Sequence, residues 1–361
     1  MAEKHFLDDR EALSKLDASG VLPTIEQLAN QCQEVWSVAQ QVKVPTDYAS
    51  VRQVVVSGMG GSILGTHIIQ TVFKDELKVP VLIVPDYSLP EFVDENTLVI
   101  ASSYSGTTEE TIAALHDAKN RGAKIAGITS GNEVARLLTE WELPVVIFPT
   151  TYNVSSQPRM GLGYSVLGQM ILFAKCGLLE ITGEMYEAVL AIISDAHLAY
   201  AQSIPVEANA AKLLAFEMLD KIPVVTVAEH LEGVGHVFAN QLNENAKTYS
   251  EYRVIPELNH HLMEGLQFPT DNGDNILFFT LESDLYSQNN SLRLTLTEEV
   301  LEKHNVEVRS LKLNGKSKLA QAFEFLVFGS YASFYLAMLH DIDPANIPWV
   351  DWFKSELKKR H

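Results

Sequence analysis

Short apolar runs rich in β-branched residues alternate with amphipathic stretches along most of this chain. The first run, VVVS after Gln53, is followed by a glycine loop and an amphipathic stretch. TLVIASS, AKIAGITS and LPVVIFPT repeat the pattern, and IPVVTVAE, DNILFFTL and HNVEVRSLKL continue it in the second half. Short buried strands that alternate with helices form parallel sheets covered by helices on both faces. The sequence therefore predicts an α/β fold of two three-layer αβα subdomains with parallel sheets.

The same pattern predicts how the chain is divided. We expect an N-terminal helical segment, a first α/β domain, a helical connection, a second α/β domain and a C-terminal helix, at 1–45, 46–155, 156–202, 203–345 and 346–361. GVGHVF follows its strand in the second half as GMGGSI follows the first strand, which is weak evidence of a repeat. The apolar stretch Phe323–Leu339 is short for a membrane span and contains Glu324, so we expect a buried core or interface helix.

Composition narrows the class of protein. Acidic residues outnumber basic ones 46 to 27 in the 361-residue chain, which argues against a nucleic-acid or anionic-membrane partner. A small anionic ligand stays compatible, because it responds to the local loop and helix end. With only Cys32 and Cys176 there is no disulfide framework, and the charged start of the sequence has no signal-peptide core. We expect a cytoplasmic protein.

The loop GMGGS has the composition of an anion-binding site. Gly58, Gly60 and Gly61 precede Ser62, directly after a predicted strand and before a predicted helix. Glycines let backbone N–H groups approach an anion, the helix N-terminus adds partial positive charge, and the serine adds a hydroxyl donor. The pattern favours a phosphate group as the ligand.

Two other interpretations of this loop stay open. A dinucleotide site would place its third glycine differently from Gly65, and Asp86 comes late for an acidic residue that binds a ribose. A tight turn with a purely structural role is the other alternative, because glycine-rich turns often have no ligand.

A second loop, SYSGTTEE, favours the phosphate site. Ser103, Ser105 and Thr108 surround Gly106 after the strand TLVIAS, and a helix follows. Helix capping would explain one hydroxyl but not all three together. Both loops follow parallel strands, so they are expected at the edge where an open α/β sheet binds its ligand. The two loops together predict a cup of neutral donors for phosphate oxygens.

These loops resemble those of a known family. SYSGTTEET is similar to the S-Y-S-G-N-T-x-E-T signature of SIS (sugar isomerase) domains, with Thr107 where many members have Asn, and GMGGS resembles their first loop. The resemblance implies SIS-type, flavodoxin-like subdomains and a small-molecule phosphosugar ligand. It implies that the phosphate is held by the following residues: Gly60, Gly61, Ser62, Ser103, Ser105 and Thr108.

The second half extends the resemblance. NENAK, PELNHH and a late VDWFK, in that order after Pro158-Arg159, resemble the bifunctional phosphoglucose/phosphomannose isomerases. This implies interconversion of glucose 6-phosphate, and of mannose 6-phosphate, with fructose 6-phosphate through a cis-enediol. Position by position, Glu244 would be the base, His260 would assist ring opening, Lys354 would be the catalytic lysine, and Arg159 would lie near the reacting oxygens. A carboxylate, an imidazole and a cation meet the needs of this chemistry without metal or cofactor.

Each catalytic candidate taken alone has a plainer interpretation. Glu244 with Lys247 three residues later is typical of a solvated ion pair on a helix. His260 and its neighbour His261 could be loop or capping residues, and no metal-binding motif accompanies them. Lys354 could be a cation that favours the C-terminal end of its helix, and Arg159 is isolated. Their joint order behind a phosphate site is what favours catalysis.

The resemblance also implies an assembly. A homodimer is expected, with His260 contributed by the neighbouring subunit, and the apolar stretches Met160–Leu179 and Phe323–Leu339 are predicted to suit its interface. Three rivals stay open: a non-catalytic phosphosugar sensor, an aminotransferring SIS enzyme, and an isomerase that rejects mannose 6-phosphate. The sensor would usually carry a basic DNA-binding helix and the aminotransferase an N-terminal cysteine domain, neither of which the sequence suggests.

Overall fold

Nine parallel-paired strands form two sheets in the computed structural model, which describes residues 5–360. Residues 1–4 and 361, at the ends of the predicted terminal segments, lie outside that range. The first sheet has the order β2-β1-β3-β4-β5 and the second β7-β6-β8-β9. The strands are β1 Gln53–Ser57, β2 Val81–Val84, β3 Thr97–Ser103, β4 Lys124–Thr129, β5 Val145–Ile147, β6 Ile222–Ala228, β7 Glu251–Ile255, β8 Ile276–Glu282 and β9 Glu307–Lys312.

Helices account for most of the remaining described chain. They are α1 Arg10–Leu16, α2 Val21–Glu26, α3 Leu28–Ala39, α4 Leu64–Val72, α5 Glu109–Asn120, α6 Asn132–Glu140, α7 Gly168–Lys175, α8 Gly183–Tyr200, α9 Ala210–Glu217, α10 Glu232–Glu244, α11 Asn272–Asn275, α12 Gln288–Lys303, α13 Lys318–Leu339 and α14 Pro348–Arg360. Gly122 adopts φ +71° just past α5, as a helix-terminating glycine does.

Both faces of each sheet are covered. In the first sheet Val54 and Val56 face the main core, whereas Val55 faces a separate cluster with Leu115 and Leu138 from α5 and α6. Successive strand residues point to opposite faces, so a strand buried on both sides is apolar throughout. The second sheet repeats this, with α12 covering its outer face. The predicted fold class, two flavodoxin-like parallel α/β subdomains, is confirmed.

The long apolar helix α13 is the centre of the main core. By length and composition alone, α13 could cross a membrane. In the fold, however, 94% of its apolar window is buried inside the protein. The stretch Met160–Leu179 is also largely buried, as a π-helical turn followed by α7. The prediction that these two apolar segments form a dimer interface is therefore wrong, because their apolar side chains already pack inside one chain.

Helices α4 and α10 join the two halves. A β-carbon on Gly233 would lie 2.6 Å from the carbonyl oxygen of His67, so only a glycine allows this approach of the two backbones. The rings of His67 and His236 stack with centroids 4.2 Å apart, and Thr71 donates to the carbonyl of His230. The helices therefore run antiparallel, which brings the first turn of α4 towards the last turn of α10.

Candidate active site

The two predicted phosphate loops lie side by side. They follow β1 and β3, which are neighbours in the first sheet, at the point where the strand order reverses direction. Open α/β sheets bind ligands in the crevice at such a point. The amino ends of α4 and α5 also lie there, and their free N–H groups favour an anion.

Hydrogen bonds from buried groups tie the first loop to the second. The Ser62 hydroxyl accepts a bond from the backbone N–H of Tyr104 at 2.8 Å. The carbonyl of Ser62 accepts bonds from the Ser102 hydroxyl and the Gln169 amide, both at 2.6 Å. Because these partners are buried, the two loops form one rigid unit.

The second loop is shaped by its own hydroxyls. Ser103 Oγ accepts from the Gly106 N–H at 3.0 Å and lies 2.8 Å from Thr108 Oγ1. Thr108 is the first residue before α5, but its side chain caps no helix N–H. Ser105 is exposed, and its hydroxyl accepts from Thr107 N–H at 3.2 Å. Gly106 adopts φ +69°, and a β-carbon there would collide with the Gly131 carbonyl. The hydroxyls of Ser103 and Thr108 are therefore not used to cap α5.

Arg159 lies against the first loop and is almost completely buried, with a side chain 2% exposed. Its Nε donates to Asn245 Oδ1 at 2.6 Å, and Nη2 donates to the carbonyls of Pro344 and Ala345 at 2.8 and 3.0 Å. Nη1 donates to Gln157 at 2.8 Å and lies 3.4 Å from Oε2 of Glu244. The guanidinium is thus held in one orientation beside a carboxylate.

Glu244 ends α10 at this arginine. Burial raises its pKa, while the positive charges of Arg159, Lys354 and Lys247 act in the opposite direction. The carboxylate keeps partial access to solvent, with 32% of its side chain exposed. A carboxylate with a raised pKa that keeps access to solvent is suited to accept a proton.

Lys354 reaches this site from the C-terminal helix. It is exposed on α14, a helix in which no residue is buried, and its charge acts on Glu244. The structure therefore brings Glu244 and Arg159 together beside the loops that contain Gly60, Gly61, Ser62, Ser103, Ser105 and Thr108, and Lys354 lies on α14 within the range at which its charge lowers the pKa of Glu244.

His260 lies elsewhere in the same chain. It is exposed in the 3₁₀ turn Glu257–His260, beyond the carboxyl end of β7. Asn243, next to Glu244, bonds the carbonyl of Ser250 at the opposite end of that strand. His260 and Glu244 therefore lie at opposite ends of β7, whose five residues span about 16 Å. The two side chains of one chain do not meet in the same site.

Comparisons with known proteins identify the family. Residues 47–141 match the SIS domain, and residues 207–357 match the bacterial phospho-glucose isomerase C-terminal SIS domain. The chain is 32% identical to a bifunctional phosphoglucose/phosphomannose isomerase of Caldicellulosiruptor bescii, over 92% of this chain and 98% of that one. The chain belongs to the bifunctional phosphoglucose/phosphomannose isomerase family.

Other phosphoglucose/phosphomannose isomerases agree with this membership. The one from Thermoplasma volcanium is 29% identical over 90% of this chain and 98% of its own. Among solved structures, a hypothetical protein of Thermus thermophilus superposes with a TM-score of 0.75 at 18% identity, over 98% of this chain and 93% of that one. That likeness supports the fold.

Several residues around the site of this phosphoglucose/phosphomannose isomerase family member were not predicted from sequence. Asn245 orients Arg159 and also donates to Ser333 at 3.1 Å, and Gln157 and Gln169 bond the arginine and the first loop. Asn245 lies within the NENAK motif, so its place in that motif is the sequence feature from which a role at the site could be predicted. Within residues 5–360, no three His, Cys, Asp or Glu side chains are grouped to hold a metal ion.

Proposed function

We propose that the chain is an aldose–ketose isomerase that interconverts glucose 6-phosphate, and mannose 6-phosphate, with fructose 6-phosphate. The observation that carries this is the buried Arg159 between the phosphate loop and the Glu244 carboxylate. The phosphate loop adjoins Arg159 through Gly61, and Arg159 adjoins the Glu244 carboxylate, whose pKa is raised. Relatives named for both activities support the same reaction.

In the proposed mechanism the phosphate binds to the hydroxyls and backbone N–H groups of the two loops. Glu244 takes the proton from C2 of the open-chain aldose while the C1 carbonyl oxygen gains a proton from solvent, which gives the cis-enediol. Protonated Glu244 then returns a proton to C1, and the C2 hydroxyl loses its proton to solvent to become the ketose carbonyl. No atom is gained or lost overall. C2 is planar in the enediol, so either epimer at C2 leads to the same intermediate.

Arg159 and Lys354 would stabilise negative charge on the two substrate oxygens as the enediolate develops. Arg159 is suited to this because its hydrogen bonds to Asn245 and Gln157 fix it before substrate arrives. A group that need not reorient during the reaction stabilises charge most effectively.

The assembly proposed is a homodimer. His260 lies at the opposite end of the second sheet from Glu244, so ring opening by this imidazole would require the histidine of a second copy. Exposed aromatic residues also suit a contact between copies, notably Trp349, Trp352 and Phe353 on α14 and Phe268 in the second half. The proposed compartment is the cytoplasm.

The rival function is a phosphosugar-binding protein without catalysis. Fructose 6-phosphate incubated with the purified chain should yield both glucose 6-phosphate and mannose 6-phosphate in separate coupled assays. Sorbitol 6-phosphate, which has no carbonyl, should bind and inhibit. Binding of sorbitol 6-phosphate without any turnover of fructose 6-phosphate would support the rival, and turnover to glucose 6-phosphate alone would limit the substrate range.

A further inference from the structure

The C-terminal helix α14 has little holding it in place. None of its residues is buried, and its side-chain ion pairs join Glu356 to Lys359 and Arg360 within the helix itself. Within residues 5–360, no side-chain hydrogen bond links α14 to another element. Within one chain, the position of Lys354 therefore depends on the segment from which the helix starts.

That segment, Asp343–Ala345, is anchored by two cations. The carbonyl oxygen of Pro344 accepts a bond from Arg159 Nη2 at 2.8 Å and another from Lys247 Nζ at 3.0 Å. Lys247 Nζ also donates to the carbonyl of Asp343 at 3.2 Å. A carbonyl with two charged donors is fixed more firmly than one with a single neutral partner.

Lys247 is placed for this contact by the end of α10. It follows Glu244 in the left-handed region at φ +54°, which a residue with a β-carbon adopts only when its surroundings hold it there. Its ammonium bonds the carbonyl of Asn245 at 3.2 Å, and no ion pair with Glu244 forms. Lys247 therefore does not form the ion pair that the sequence spacing suggests. Instead it clamps Asp343–Ala345, the segment called here the root of α14, through two backbone carbonyls.

We propose that Lys247 is a positioning residue that holds Lys354 beside Glu244 by fixing the root of α14. This inference rests on the proposed isomerase function. Lys247 links the helix that ends in the base to the helix that carries the catalytic cation. Because the attraction between charges falls with distance, a small shift of α14 would weaken the action of Lys354 on the reaction.

A double-mutant cycle tests the inference. Lys247→Met should lower kcat about tenfold and change KM less than about twofold, since the phosphate anchor is separate. Lys354→Met should lower kcat more, and the double variant should be little slower than Lys354→Met alone, because Lys247 acts mainly through Lys354 and its own charge effect on Glu244 is the smallest of the three cations. Lys247→Arg, which keeps the charge and donors, should recover much of the loss.

The control is Lys359→Met, which removes a lysine of α14 that bonds Glu356 alone among residues 5–360 and should leave kcat unchanged. Losses that multiply in the double variant would overturn the inference, as would a normal kcat for Lys247→Met.

Hydrogen exchange gives a readout that does not depend on activity. Amides of 346–360 should exchange faster in Lys247→Met than in the wild type or Lys359→Met, while those of α13 stay unchanged. Unchanged exchange in 346–360 would overturn the inference even if the enzyme is an isomerase. If the wild type showed no turnover but Lys247→Met still exchanged faster, the proposed function would be refuted and the clamp would stand.

Discussion

Gly61 lies directly against the backbone of Arg159. A β-carbon on Gly61 would come within 2.9 Å of the Arg159 nitrogen and 3.0 Å of the Pro158 carbonyl carbon. Both obstacles are main-chain atoms, which a rotamer change cannot move. The phosphate loop and the arginine turn therefore fix each other's position, and substrate binding and charge stabilisation are coupled through this contact.

Gly61→Ala should lower kcat/KM by about 10- to 100-fold, because overpacking of this kind costs about 1–3 kcal/mol and displaces Arg159. Steady-state kinetics with fructose 6-phosphate would measure it. Gly183→Ala is the matched control, since a β-carbon there meets nothing within 4 Å. Equal kinetics for the two variants would contradict the proposed coupling.

Mixing two inactive variants tests whether His260 acts across subunits. Glu244→Gln and His260→Ala should each be nearly inactive. In a mixed dimer, one site combines an intact Glu244 with the intact His260 of the other chain. After subunit exchange, random pairing should restore about a quarter of wild-type activity.

If His260 acted on its own chain, every mixed dimer would be inactive and no activity would return. Size-exclusion chromatography with light scattering should first establish the dimer, and an active monomer would contradict the assembly.

The pH dependence of kcat/KM should report Glu244. Only the ionised carboxylate accepts a proton, so activity should fall as the pH decreases through the pKa of Glu244. Because burial raises this pKa, the fall should occur at a higher pH than for an ordinary glutamate. Lys354 lowers this pKa, so Lys354→Met should move the acidic limb to still higher pH. Profiles between about pH 5 and 8 would show the shift. A shift of the acidic limb to lower pH in Lys354→Met would contradict the assigned effect of the Lys354 charge on Glu244.

Lys212 is expected to stabilise the N-terminal helical segment. Its side chain is fully buried, and Nζ bonds Asp8 Oδ1 at 2.7 Å and the carbonyls of Gln202 and Ile204 at 2.8 Å. Lys212→Met would leave these acceptors unpaired and should lower the free energy of unfolding by about 3 kcal/mol.

Urea unfolding would measure that loss. Lys312→Met, which removes an exposed pair with Asp284, should change stability by less than about 1 kcal/mol. A similar small change for Lys212→Met would show that the buried network contributes little.

The fold class and the phosphate loops could be predicted from sequence because their signals are local. Runs such as TLVIASS are buried on both faces, and the glycines and hydroxyls follow their strands directly. The edge strand β7 was missed, since Glu251 and Arg253 in EYRVI are half-exposed and interrupt the apolar pattern. The domain boundaries stay a prediction.

The contacts around Glu244 could not be predicted because they join distant parts of the chain. Sequence spacing suggested Lys247 as its partner, whereas the structure pairs it with Arg159, 85 residues away in sequence. Similarly, an apolar sequence does not indicate whether the segment packs against its own chain or against a second copy. That is why the sequence predicts either a core or an interface helix for Phe323–Leu339, and the structure shows that α13 fills the core.

The most direct test of the account is solvent-proton exchange at C1 of fructose 6-phosphate. In D₂O, followed by nuclear magnetic resonance, the wild-type protein should introduce deuterium at C1 of the ketose and at C2 of the aldose products. Glu244→Gln should bind sorbitol 6-phosphate with little change but lose exchange by about 10³-fold or more. Exchange at the wild-type rate in Glu244→Gln would contradict the assignment of this carboxylate as the base.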